Sequence, residues 1–173
     1  LNTLTSERTF YGLFYNCSKL VSAENLSLPA MTLTRDCYGS MFVSCTSLTT
    51  APALPATALA QNCYTGMFHN CSSLTTAPEL PATTLANYCY RYMFWQCKSL
   101  TSAPSVLPAT TLAEGCYQEM FAVCTSLTTA PALPATTLVD RCYSGMFAVC
   151  TSLNYIKAMF LTDPNYQSNN VYT

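Results

Sequence analysis

The sequence predicts an α/β solenoid of about six stacked units, each a short strand, a proline-bounded extended segment and a short helix. Three observations carry that expectation. First, a motif restarts at Cys37, Cys63, Cys89, Cys116 and Cys142, at intervals of 26, 26, 27 and 26 residues. A period in the twenties marks chains that stack one small unit on the next. Second, a single unit holds too few apolar side chains to offset the entropy of ordering its own backbone, so neighbours must share one continuous core. Third, the chain is 50% hydrophobic and only 9% charged, yet holds no unbroken apolar run of about 18 residues. The apolar residues are therefore distributed along the repeat, and no spanning helix is expected.

The unit reads C-Y-x-x-M-F-x-x-C-x-S-L-T-x-A-P-x-L-P-A-T-x-L-x-x-x. One 173-residue domain is expected. Residues 9–36 form a degenerate first repeat, with Thr9 in place of the first cysteine and Phe10, Leu13, Phe14 and Cys17 in register. Repeats follow at 37–62, 63–88, 89–115, 116–141 and 142–153, the last incomplete. The inserted residue at Ser105-Val106 accounts for the longer interval. On a helical wheel the constant Cys, Tyr, Met, Phe and Cys positions fall within an arc of roughly 140°, which predicts about two turns of amphipathic helix. The following Ser47-Leu48-Thr49-Thr50 suits a short strand, which Pro52 stops because proline cannot donate to a ladder. The L-P-A-T-T-L segment at 80–85 reads as an extended return. After Leu153 the proline pattern disappears, so 154–162 is expected to form a capping strand and 163–173 a polar tail. The chain opens on Leu1 in the middle of a weak repeat, which suggests a processed or excised part of a larger protein.

The unit resembles the BspA-like leucine-rich-repeat proteins of host-associated, Bacteroides-type bacteria. The resemblance lies in Met41-Phe42-x-x-Cys45-x-Ser47-Leu48-Thr49 and its four later copies, and in the closing Leu153-Asn154-Tyr155-Ile156-Lys157. The unit is a few residues longer than the common form, and Met-Phe replaces the usual Ala-Phe. The resemblance implies a leucine-rich-repeat solenoid at the bacterial cell surface or secreted, with protein-binding, carbohydrate-binding or adhesion roles. An outer-membrane lipoprotein is one such form, its anchoring segment lying outside this chain.

Charge and chemistry narrow the function further. The net charge is −1, so no basic field exists to hold nucleic acid or an anionic membrane surface. The eleven cysteines resolve into five pairs plus Cys17. Two cysteines eight residues apart on a helix lie about 12 Å apart, beyond the roughly 7 Å that a disulfide spans. Packed helices in neighbouring units stand about 8–10 Å apart. Buried free thiols acting as small hydrophobes are the favoured reading, with bridges at the helix-to-strand junction the alternative. One histidine and no C-x-x-C leave metal binding unsupported. The eight carboxylates are scattered and no phosphate-cradling glycine loop occurs, so no catalytic residue and no cofactor are expected.

The informative positions are those where repeats differ. One column reads Val43, His69, Trp95, Ala122, Ala148, and the third full unit gathers Tyr88, Arg91, Tyr92 and Trp95 within about 100° of the wheel. Arg91 and Trp95, four apart, are expected to stack, with His69 beside Trp95. An aromatic–arginine cluster on a Ser/Thr/Ala surface is a candidate protein- or glycan-binding site. The expected function is a non-enzymatic extracellular binding or adhesion module. The alternative is a structural spacer or accessory subunit of a larger surface assembly.

Overall fold

The computed structural model describes residues 3–159. Its organising unit is a tight turn. In 37–45 the N–H groups of Cys37, Gly39, Met41, Val43 and Cys45 donate to carbonyls three residues back, at Thr34, Asp36, Tyr38, Ser40 and Phe42. The intervening N–H groups of Tyr38, Ser40, Phe42 and Ser44 donate outward to the carbonyls of Cys63, Thr65, Met67 and His69 in the next unit, at 2.8–2.9 Å. The same alternation recurs in the units that follow, up to the bonds between 115–123 and 140–148.

The expected helix is therefore absent: the described residues contain no helix. The reason is visible in the backbone. An α-helix sends every interior N–H to the fourth residue back along its own chain, whereas here half of the donors are committed to the neighbouring unit. Every fourth residue also sits in the left-handed region, as the third position of a type II turn requires. These residues are Asp36, Ser40 and Ser44 in one unit, with φ of 55°, 55° and 59°, and Asn62, Gly66 and Asn70 in the next, at 57–59°. Among the described residues, fourteen non-glycine residues and four glycines adopt such angles, three in each of six successive units. A four-residue turn gathers positions i, i+4 and i+8 on one side much as a helix does, so nine residues of pattern could not separate the two.

Stacking fixes the core. Tyr38, Tyr64, Tyr90 and Tyr117 lie ring on ring with centroids 5.7 Å apart, continued by Phe10 and Tyr143. Phe14, Phe42, Phe68, Phe94, Phe121 and Phe147 form a second column at 5.2–5.8 Å. Hydrogen-bonded extended chains stand about 4.7–4.9 Å apart, so side-by-side backbones set the ring spacing and near-parallel offset stacking follows. Met41, Met67, Met93 and Met120 are wholly buried beside them. No charged residue is buried among the described residues.

The expected strands shrink to isolated parallel bridges, such as Ser22 to Thr50, Thr76 to Ser102 and Thr129 to Tyr155. The prolines that follow at positions such as Pro52 and Pro78 remove donors and stop the pairing after one rung. Of the capping strand expected at 154–162, Tyr155 and Ala158 form bridges with Thr129 and Leu133. Ile156 and Met159 remain 53% and 54% exposed, so this segment runs along the last unit and leaves apolar surface open. Residues 160–162 and the tail at 163–173 lie outside the described residues.

All eleven cysteines are free thiols, ten of them buried and Cys17 exposed. The second cysteine of each unit donates its S–H to the phenylalanine carbonyl of the preceding unit: Cys45 to Phe14, Cys71 to Phe42, Cys97 to Phe68, Cys124 to Phe94 and Cys150 to Phe121, each at 3.1 Å. The helix-packing distances expected for these cysteines do not apply, because there are no helices to pack. The thiol column is a set of satisfied donors threaded through the stack.

Candidate functional site

The third full unit carries its aromatic cluster on the turn backbone. Tyr88 and Tyr92 occupy two of the left-handed positions, both with φ of 56°. Bulky L-residues adopt that region only at a cost of about 1–2 kcal/mol, and the equivalent positions hold Arg8, Asp36, Asn62, Gly115 and Arg141 in one column and Gly12, Ser40, Gly66, Glu119 and Gly145 in the other. Among these described positions the third full unit is the one that carries aromatic rings.

Arg91 lies between them. Its guanidinium carbon is 4.5 Å from the Tyr92 ring centroid and 5.5 Å from that of Tyr88, within cation–π range of both. Its Nη2 donates to the Tyr92 hydroxyl at 2.9 Å, while its buried Nε has no hydrogen-bond partner. The expected stacking of Arg91 on Trp95 is replaced by this tyrosine sandwich: in tandem turns the left-handed residues on either side of Arg91 approach it more closely than the residue four ahead. Trp95 instead meets His69 edge to face, with centroids 4.5 Å apart. Burial lowers the His69 pKa, favouring the neutral ring. The five expected residues therefore form two adjoining groups, Tyr88–Arg91–Tyr92 and His69–Trp95, each of whose members is half-buried.

Three further residues position the cluster and were not singled out from sequence. The Tyr88 hydroxyl donates to the Glu114 carboxylate, a bond that raises the tyrosine pKa because ionisation would set two anions together. Thr65 Oγ1 donates to the Tyr88 carbonyl at 2.7 Å. Gly115 lies beneath the Tyr88 ring, where an added Cβ would fall 2.5 Å from Tyr88 Cδ1 and closer still to Cε1. Its signal was present in the sequence as a glycine in the Asp36/Asn62/Tyr88 column, but it acquires meaning only once that column is known to be left-handed.

A hollow of about 520 Å³ lies elsewhere, lined by Glu24, Pro52, Leu54, Pro55, Pro78 and Glu79 among others. Among the described residues, no group of three or more His, Cys, Asp or Glu side chains is arranged to hold a metal ion, and no helix is long and apolar enough to cross a membrane. No protein-family model, curated protein or solved structure matches the chain.

Proposed function

We propose that this chain is a leucine-rich-repeat-type solenoid of the BspA-like kind, acting as a non-enzymatic binding or adhesion module at a bacterial cell surface or in secreted form. In this variant, tandem turns replace the helical side of the unit. Its ligand is a protein or a glycan, held at Tyr88, Arg91, Tyr92, Trp95 and His69. The observation that carries the reading is the half-buried Arg91 guanidinium, held within cation–π range of two tyrosine rings. Flat aromatic faces with a central cation suit the face of a sugar or an aromatic–carboxylate pair on a protein.

The test is capture of the chain on a glycan microarray and on immobilised extracellular-matrix proteins. The Tyr92→Ala/Trp95→Ala variant is expected to lose capture by at least about tenfold, the scale of one disrupted hot spot, while circular dichroism and a cooperative melt show that the fold is retained. Undiminished capture by that variant dismisses the cluster as the contact.

A further inference from the structure

Between its two rows of bridges each unit turns a proline corner, and the length of that corner varies. Ser22 pairs with Thr50 and Thr32 with Ala58, so the rungs lie 10 positions apart (22 to 32) in one unit and 8 apart (50 to 58) in the next. Thr76 pairs with Ser102 and Thr84 with Thr111, which gives 8 positions again and then 9. Two short corners thus stand between longer ones. A hollow of about 520 Å³ lies over them, with Pro52, Leu54, Pro55, Pro78 and Pro81 among its walls and the exposed Glu24 and Glu79 at its rim. Adjoining hollows of about 290 and 310 Å³ share Glu24 with it, so the trough continues along the stack. Both glutamates break the repeat: Glu24 stands where later units place Pro52, Pro78, Pro104 and Pro131, and Glu79 where the preceding unit places Ala53. We infer that this trough binds a basic, proline-containing extended segment of a partner protein, one cationic side chain meeting Glu24 and a second meeting Glu79.

Charge sets the first requirement. No Lys or Arg lines any of the three hollows, and neither glutamate has an ion-pair partner among the described residues. The complementary occupant is cationic. The walls set the second. No aromatic ring lines these hollows, so the face of a sugar has no platform to stack on. The N–H groups of Ala53 and Glu79, which follow Pro52 and Pro78, donate to no group among the described residues, and the carbonyls of an extended polypeptide can accept from them. Prolines hold the walls rigid before binding, which keeps the ordering cost low. Spacing sets the third. Glu24 and Glu79 belong to units two steps apart, about 10 Å at the 4.7–4.9 Å separation of paired extended chains. A polyproline II segment rises about 3.1 Å per residue with three residues per turn. Side chains three apart therefore share one face at a separation of about 9 Å, and Arg-x-x-Arg with proline between is the sequence that matches. The trough shares no residue with the aromatic–arginine site.

Fluorescence anisotropy tests it, with the peptide Arg-Pro-Leu-Arg-Pro-Leu carrying a neutral dye and titrated with the full 173-residue chain. Saturable binding that weakens with added salt is expected. Glu24→Gln and Glu79→Gln should each weaken it about threefold, the scale of an exposed ion pair, and together about tenfold, because separate contacts add. Both positions are exposed and the replacements isosteric, so circular dichroism should show the fold retained. Glu7→Gln/Glu119→Gln removes the same charge elsewhere and should bind as wild type does. The peptide Arg-Arg-Leu-Pro-Pro-Leu, of the same composition, should bind at least about threefold more weakly, since one arginine then lacks its glutamate. The Tyr92→Ala/Trp95→Ala variant should bind the peptide undiminished, which separates this trough from the aromatic–arginine contact. The inference is overturned by no saturable binding up to the solubility limit of the chain, or by equal affinity of wild type and Glu24→Gln/Glu79→Gln. An equal loss in Glu7→Gln/Glu119→Gln overturns it as well, by reducing the effect to net charge. Tighter binding of a glucosamine oligomer, a cationic sugar, than of the peptide overturns the choice of a polypeptide.

Discussion

Replacing Gly115 by alanine probes how the turn backbone and the candidate site depend on each other. Two costs are expected. Gly115 has φ of +54°, where an L-residue is strained by about 1 kcal/mol relative to glycine. The new Cβ would also lie 2.5 Å from Tyr88 Cδ1, well inside van der Waals contact, so the ring must shift by about 1 Å or more. Relieving that collision adds about 1–2 kcal/mol of overpacking strain, and the shift also weakens the hydroxyl's bond to Glu114 and opens the contacts around Arg91. Gly66 is the internal control. Its φ is +59°, but its Cβ would meet nothing nearer than His69 Cβ at 3.8 Å, so only the backbone cost of about 1 kcal/mol applies. Urea unfolding should therefore place Gly115→Ala about 2–3 kcal/mol below wild type, equivalent to roughly 4–12 °C in melting temperature for a chain of this size. Gly66→Ala should cost about a third to a half as much. In a Tyr88→Ala background the excess should vanish, because the colliding ring is gone, and the double-mutant cycle isolates that coupling. Equal losses for Gly115→Ala and Gly66→Ala in the wild-type background would refute the argument.

Two other outcomes follow from the same geometry. Val149 is β-branched, 60% exposed and left-handed at φ 60°, so Val149→Asn should stabilise the last unit by about 1 kcal/mol, read as slower amide exchange there. Val43→Asn, whose backbone is not left-handed, should bring no such gain. Burial pushes the Cys45 and Cys150 thiols up to about 11 and Cys116 up to about 12, from an ordinary value near 9, and raises Tyr38 to about 12. Raised folded-state values favour the protonated thiol and phenol, so their stabilisation is complete below about pH 9 and fades as pH climbs toward 11–12. Melting temperature should fall across that interval, and under native conditions near neutral pH only Cys17 should react rapidly with a thiol reagent. A melting temperature unchanged up to about pH 11, or fast labelling of several thiols, would contradict the buried thiol column.

How much of this was legible from residues alone depends on what each level of structure uses. The period, the register and the identity of the inward side chains followed from the sequence, because the same Cys, Tyr, Met, Phe and Leu positions recur wherever the core needs them; the structure buries Tyr64, Met67, Phe68, Cys71 and Leu74 together. The aromatic–arginine cluster was visible for the converse reason: Tyr88, Arg91, Tyr92 and Trp95 break a pattern that is otherwise kept. What the pattern could not decide was the backbone between. Nine residues with inward positions at i, i+4 and i+8 fit a 3.6-residue helix and a four-residue turn about equally well. Only the hydrogen bonds across units discriminate, and those join residues 25–27 positions apart. The glycines and asparagines in the variable columns were the available local clue, but tyrosine, valine and arginine at equivalent positions obscured it. The partner of Arg91 was misplaced for the same reason, because a wheel drawn for a helix assigns neighbours that a chain of turns rearranges. Composition and repetition thus determined what is buried and how often. Which backbone carries it was decided by the neighbouring units, since a donor satisfied by the next coil no longer has to find its acceptor four residues back.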